Sequence, residues 1–192
     1  MTKHRLAFFI SILVWLISFL FRMIKPIDDS SDYISYTSDS IGNPIEVLPQ
    51  PQNLELFLDS NDHKAAFSLI FCNNMHGCLV NILSGFLLGI GTIVNLIYNG
   101  YVFADVLTFA KGRLSLMKIL ELTFPHSFEL IGFWLSGAIG LKISSTLLLL
   151  MKGDSIDLAS LLKEMVGLTI SVVIITLCSA YVEAYITTKF LL

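Results

Sequence analysis

Residues 78–98 read CLVNILSGFLLGIGTIVNLIY, 21 residues without an Asp, Glu, Lys or Arg. About 20 mostly apolar residues cross the hydrocarbon core of a bilayer as one helix. Cys78–Tyr98 is therefore expected to be a membrane span, and it sets how its neighbours are read. Upstream, the 16 residues Leu6–Phe21 carry no charge and lie between Lys3, His4, Arg5 and the pair Arg22, Lys25. Arg22 can snorkel to the interface, which extends this span to Leu6–Ile24. No small-x-small cleavage site follows, since the sequence there is Arg22-Met23-Ile24-Lys25, so an uncleaved anchor is expected rather than a signal peptide. Downstream, Phe128–Met151 and Val166–Thr188 complete four clear spans. Two more stretches would bring the count to five or six. Ala65–Gly77 is apolar but interrupted by Asn73, Asn74 and His76, which suits an interfacial or re-entrant helix. Tyr101–Ala110 follows Asn99-Gly100, a turn-prone pair, and fits a cytoplasmic helix or, with Leu114–Phe124, a weakly apolar span. The expected fold class is all-α: a polytopic transmembrane helix bundle with one long acidic external loop.

Composition agrees. Of 192 residues, 55% are hydrophobic and 14% are charged, against about 45–50% and 25% in a soluble domain. There is too little charge to cover a water-facing surface. A net charge of −3 also argues against a nucleic-acid partner, which calls for a basic face. The charges are unevenly distributed. Pro26–Lys64 contains eight acids and one base, and the rest of the chain seven acids and eleven bases. Four of the five prolines (Pro26, Pro44, Pro49, Pro51) also fall in this segment. Three regions follow: an N-terminal anchor over 1–25, an acidic polar loop over 26–64 with a short surface helix at Asn53–Lys64, and a helical membrane domain over 65–192. With four spans the basic residues divide six against five between the two sides, a weak positive-inside bias. Both termini are expected in the cytoplasm of a bacterial cell, with the acidic loop outside the inner membrane.

Lipid offers helices no hydrophobic reason to associate, so small residues that let backbones approach mark packing faces. Gly132, Ser136 and Gly140 recur every fourth residue in the third span, and Gly85 and Gly89 in the second. They serve contacts within the chain or between copies in a homo-oligomer. Glu129 shares the face of Gly132, and Glu183 shares a face with Thr176, Ser179 and Thr187. An ionisable residue in a span is by default a functional candidate; together with Asn95, Asn99 and His126 these two form a candidate intramembrane polar cluster. Simpler roles stand beside it: Glu129 as a cap where Pro125 and Ser127 begin a helix, and Glu183 as a near-end residue reaching water or Lys189. His126 and Glu129 form H-x-x-E, but Leu130 stands where a zinc protease needs its second histidine. No Walker, G-x-S-x-G or Cys-x-x-Cys motif is present. Neither a cofactor, a metal nor an enzymatic activity is expected, and Cys72, Cys78 and Cys178 are expected to be small apolar membrane residues.

Several motifs together suggest a family: Ile70-Phe71-Cys72-Asn73-Asn74, Gly85-Phe86-Leu87-Leu88-Gly89-Ile90-Gly91-Thr92, Asn99-Gly100, Phe124-Pro125-His126-Ser127-Phe128-Glu129-Leu130, Ser136-Gly137-Ala138-Ile139-Gly140-Leu141 and Glu183-Ala184-Tyr185-Ile186-Thr187. Over roughly Phe67–Thr188 the chain resembles the stage II sporulation protein M family of bacterial membrane proteins. The first span and the acidic insert stand outside the resemblance, and Ser127 replaces a glycine common in the family. The resemblance implies a membrane protein without established catalysis of its own. The namesake is a membrane anchor and scaffold for the peptidoglycan-degrading machinery of engulfment, and relatives accompany ABC ATPases in circular-bacteriocin gene clusters. Two expectations follow: a scaffold or complex subunit contacting other envelope proteins, or a permease-like subunit paired with a separate ABC ATPase in peptide export or self-protection.

Overall fold

The computed structural model describes residues 3–25, 63–111 and 115–185. These form five long helices: α1 Lys3–Ile24, α2 His63–Ser84, α3 Ile90–Lys111, α4 Leu116–Met151 and α5 Leu158–Tyr185. A single 3₁₀ turn, Gly85–Leu87, joins α2 to α3, and no strand occurs among the described residues. All five helices contain a segment long and apolar enough to cross a membrane.

The uncharged stretch 78–98 is two half-spans and a reversal, not one span. Leu88 adopts the left-handed conformation (φ 55°) and Gly89 follows at φ 75°, which turns the chain back between Ser84 and Ile90. Glycine takes such angles without a Cβ clash; Leu88 takes one against the usual preference. Ala65–Gly77 accordingly belongs to α2, whose candidate span runs His63–Leu87, and is neither interfacial nor re-entrant. Asn99-Gly100 makes no turn, because α3 continues through it to Lys111. Pro125 and Ser127 do not open a helix: α4 begins at Leu116, where the Ser115 hydroxyl caps the Lys118 N–H. α4 runs through Pro125 without ending, and nearby the hydroxyls of Thr123 and Ser127 donate to the Ile119 and Phe124 carbonyls (2.8 and 2.7 Å). His63 and Lys64, assigned to the acidic loop by sequence, start α2; the remainder of that loop, 26–62, lies outside the described residues.

The helices alternate in direction. Arg22 near the end of α1 pairs with Asp105 near the end of α3 at 2.5 Å, and Nδ1 of His63 at the start of α2 meets the Ala184 carbonyl at the end of α5. The start of α1 and the end of α5 thus fall on opposite faces, unlike the arrangement that four spans would give. α4 is the hub and touches every other helix. Burial runs opposite to that of a soluble protein. Leu6, Phe9, Leu13, Ile17 and Leu20 of α1 face outward, whereas Ser11, Asn81, Thr92, Ser136 and Ser179 are fully enclosed. An apolar exterior around a hydrogen-bonded polar interior is what a bilayer solvent selects.

Candidate functional site

Of the enclosed polar residues, Asn81, Thr92 and Ser136 form a seam where α2, α3 and α4 meet. Its floor is a backbone contact. A Cβ added to Gly85 would stand 2.5 Å from the Gly140 carbonyl oxygen, and one on Gly140 would collide with the Asn81 carbonyl. One turn further along, Asn81 Nδ2 donates to the Ser136 hydroxyl (3.0 Å) and to the Phe133 carbonyl (3.3 Å). Its Oδ1 accepts from Asn95 Nδ2 at 2.9 Å, and Asn95 also donates to the Gly77 carbonyl at 3.1 Å. Thr92 donates to the Asn81 carbonyl at 2.8 Å. Asn99 lengthens the ladder by donating to the Asn95 carbonyl and Oδ1 (3.0 and 3.2 Å). Three asparagines, a serine and a threonine thus tie three helices together, and the reversal at Leu88-Gly89 is what sets Asn81 beside Asn95.

On the α5 side, the buried Cys78 thiol lies against the Ser136 and Thr176 hydroxyls. Gly132 fits against Ile175 and Thr176, both 3.3 Å from where its Cβ would be. Thr176 returns its own proton to the Val172 carbonyl at 2.8 Å. The structure therefore joins Asn95 and Asn99 directly and places Glu129 on α4, one turn before Gly132. Glu183 stands on α5 two turns beyond Thr176, and its Oε2 is buried. Of the predicted cluster, His126 falls in α4, and its side chain lies outside the described residues. Among the small residues, Gly85, Gly132, Ser136 and Gly140 line helix contacts, while Gly89 sits in the turn against the Ser144 side chain.

Asn81 is the central residue that sequence reasoning did not single out. A signal existed: Gly77, Asn81 and Gly85 form an every-fourth row on α2, the spacing that marked α4. Also overlooked were two ion pairs, Arg22–Asp105 and Lys142–Glu164 (each 2.5 Å), which couple α1 to α3 and α4 to α5. Among the described residues, no three His, Cys, Asp or Glu side chains are grouped to share a metal ion.

The family profile described as Stage II sporulation protein M matches residues 6–188. The chain belongs to that family. The match begins inside α1, so the first helix is part of the family fold and not an addition to it. An uncharacterized protein of Methanocaldococcus jannaschii is 30% identical over 129 residues, covering 64% of this chain and 71% of that protein. No solved structure matches. Family and fold together establish a multi-pass membrane protein.

Proposed function

We propose that this Stage II sporulation protein M family member is a non-catalytic scaffold or complex subunit of the cell envelope membrane. The closed bonding of the Asn81 carboxamide carries the reading. Its two described donations and its acceptance from Asn95 are spent on holding α2, α3 and α4 in one arrangement. A side chain committed in this way supports a fixed platform better than a path that must open and close. The segment 26–62, with its excess of acidic residues, is then the contact region for protein partners.

Orientation follows from regrouping the basic residues by five helices. Lys3, Arg5, Lys142, Lys152 and Lys163 belong to the face where α1 begins. Arg22, Lys25, Lys64, Lys111, Lys118 and, by sequence order, Arg113 and Lys189 belong to the other. Seven against five turns the positive-inside bias toward a cytoplasmic acidic segment, the reverse of the four-span expectation.

Crosslinking in intact cells from residues placed in 28–62 should recover one defined protein partner, and deleting Asp28–Asp62 should abolish function at normal membrane levels. Recovery of no partner, with function intact after the deletion, would reject the scaffold. A Glu129→Gln, Glu183→Gln double variant that inserts normally but stops peptide export or immunity would replace the scaffold with a transport path.

A further inference from the structure

α2 has two faces of different character. Ala66, Ile70, Cys78 and Asn81 are buried against the neighbouring helices. On the other side Leu69, Leu79 and Leu83 are 38%, 42% and 60% exposed, and Cys72, Asn73 and His76 are exposed with them. This outward face is polar where a bilayer tolerates it least. The span of α2 runs His63–Leu87, so Met75 is its middle residue and Asn73 and His76 flank it at hydrocarbon depth. Among the described residues neither side chain has a hydrogen-bond partner. On α1, by contrast, every exposed residue between Leu6 and Phe21 is apolar. Acyl chains neither donate to a carboxamide or imidazole nor accept from one, and polar side chains at this depth turn toward protein or water.

The spacing describes the neighbour that fits. Leu69, Cys72, His76, Leu79 and Leu83 follow one another by alternating steps of three and four. That is the seam of a left-handed helix pair crossing near 20°, and here it is ~21 Å long. No Asp, Glu, Lys or Arg occurs from Ala65 to Ser84, so nothing on the face repels a like surface. Two copies inserted in one orientation bring their α2 helices together in parallel, about an axis normal to the bilayer. Each residue then meets its own counterpart at equal depth. Only groups that both donate and accept are satisfied in this way, and a carboxamide and a neutral imidazole each do both. A single polar position within an apolar seam also fixes register. A helix of different sequence would need matching groups at the same depth, which a second copy supplies by symmetry. The segment 26–62 has eight acids and no base, a composition that bars it from hydrocarbon.

We propose that the outward face of α2 pairs with the same face of a second copy of this chain, with Asn73 and His76 hydrogen-bonding across the twofold axis. The face lies on the far side of α2 from Asn81 and does not rest on the scaffold reading. Cys72 stands on the row and reports on it directly. Full-length Cys178→Ala protein, whose remaining cysteine Cys78 is buried, is reconstituted in excess phosphatidylcholine and oxidised with copper phenanthroline. A disulfide-linked dimer should form and should vanish on adding Cys72→Ala. In that double-alanine background, single cysteines at Leu69, Leu79 and Leu83 should each restore the dimer. Cysteines at Leu13 of α1 and Ile174 of α5, both as exposed as the row, should not. Asn73→Leu and His76→Leu should each weaken self-association about tenfold, read by energy transfer between labelled copies as lipid is added, the ratio for ~1.4 kcal/mol of interhelical hydrogen bonding. Asn73→Gln and His76→Asn should retain it. Should a leucine variant fail to fold, the crosslinking pattern on the otherwise unaltered α2 decides. Crosslinking as strong at Leu13 or Ile174 as along the row, no dimer from any row position, or self-association unchanged in the Asn73→Leu, His76→Leu double variant would overturn the proposal. So would a photocrosslinker at His76 in native membranes that captures a different protein, or residues 26–62, instead of a second copy.

Discussion

On one flank of α4 the α2–α3 hairpin is held by hydrogen bonds and by backbone pressed on backbone. On another, α1 is held by rings. Trp15 stacks on Phe19 (centroids 5.3 Å apart, planes 6° apart) and meets Phe103 and Trp134 at 5.5 and 5.4 Å. Neither indole N–H of Trp15 and Trp134 has an acceptor among the described residues. Beyond the rings, α1 is attached by the Arg22–Asp105 pair, by the Ser11 hydroxyl, which donates to the Trp134 carbonyl at 2.8 Å, and by one close backbone contact of its own over Gly100 of α3. The two attachments differ in tolerance. Rings can tilt and neighbours can shift to refill space, but a carbonyl resting where a Cβ would go cannot move without parting two helices. The seam and the Gly100 contact therefore specify where the helices sit, and the aromatic layer contributes more area than direction.

The sharpest way to break this contrast is Gly140→Leu. It drives a side chain into the Asn81 carbonyl and the Thr92 hydroxyl, and the expected outcome is loss of monodisperse folded protein on gel filtration. Trp15→Ala comes next. It empties the middle of the ring cluster and should destabilise by about 3 kcal/mol in reversible unfolding by denaturing detergent, with the α2–α3–α4 contacts preserved. Asn81→Leu keeps the branched outline, at a larger volume, and removes the seam's central hydrogen bonds. Interhelical hydrogen bonds in membranes contribute ~0.6 kcal/mol on average and up to ~1.7, so a loss of about 1–2 kcal/mol is expected in the same assay. That variant should also loosen geometry: a disulfide engineered between α2 and α3 should form in several registers instead of one. Arg22→Met is the smallest, about 1 kcal/mol or less, because Asp105 is partly hydrated. If Asn81→Leu leaves the cysteine register unique, directionality resides in the glycine contact alone and the asparagine ladder only adds stability.

Much of the helical architecture was legible because membrane length and charge exclusion are written directly into the chain. The reversal was not. Turns in water announce themselves through Pro, Asn, Asp or charge, but Gly85-Phe86-Leu87-Leu88-Gly89-Ile90-Gly91 is apolar throughout, so hydropathy runs through it without a dip. Gly85 and Gly89 read as a packing stripe, a role that fits Gly85, while Gly89 serves the backbone angle. Asn99-Gly100 misled in the opposite sense. Gly100 is small because α1 passes over it, with the Trp15 carbonyl 2.6 Å from where its Cβ would be, and not because the chain turns there. At the site, Asn95 and Asn99 could be picked out as polar residues in apolar surroundings. Their partner Asn81 is defined by a contact that exists only after the turn is made, and no spacing rule on a single straight helix reveals it.

A connection built only of apolar residues also bears on how the chain enters the bilayer during synthesis. Nothing polar at 85–91 halts the emerging polypeptide between α2 and α3, and these two are the least apolar of the five candidate spans. Either helix alone would carry an asparagine into hydrocarbon with its carboxamide unsatisfied, which costs several kcal/mol. Zipped together, the pair satisfies Asn95 and the Asn81 side-chain oxygen, and the Asn81 Nδ2 finds its acceptors, Ser136 and Phe133, once α4 packs against it. The hairpin is thus better suited to lipid as a pair than as two separate helices, and α4 completes its hydrogen bonding.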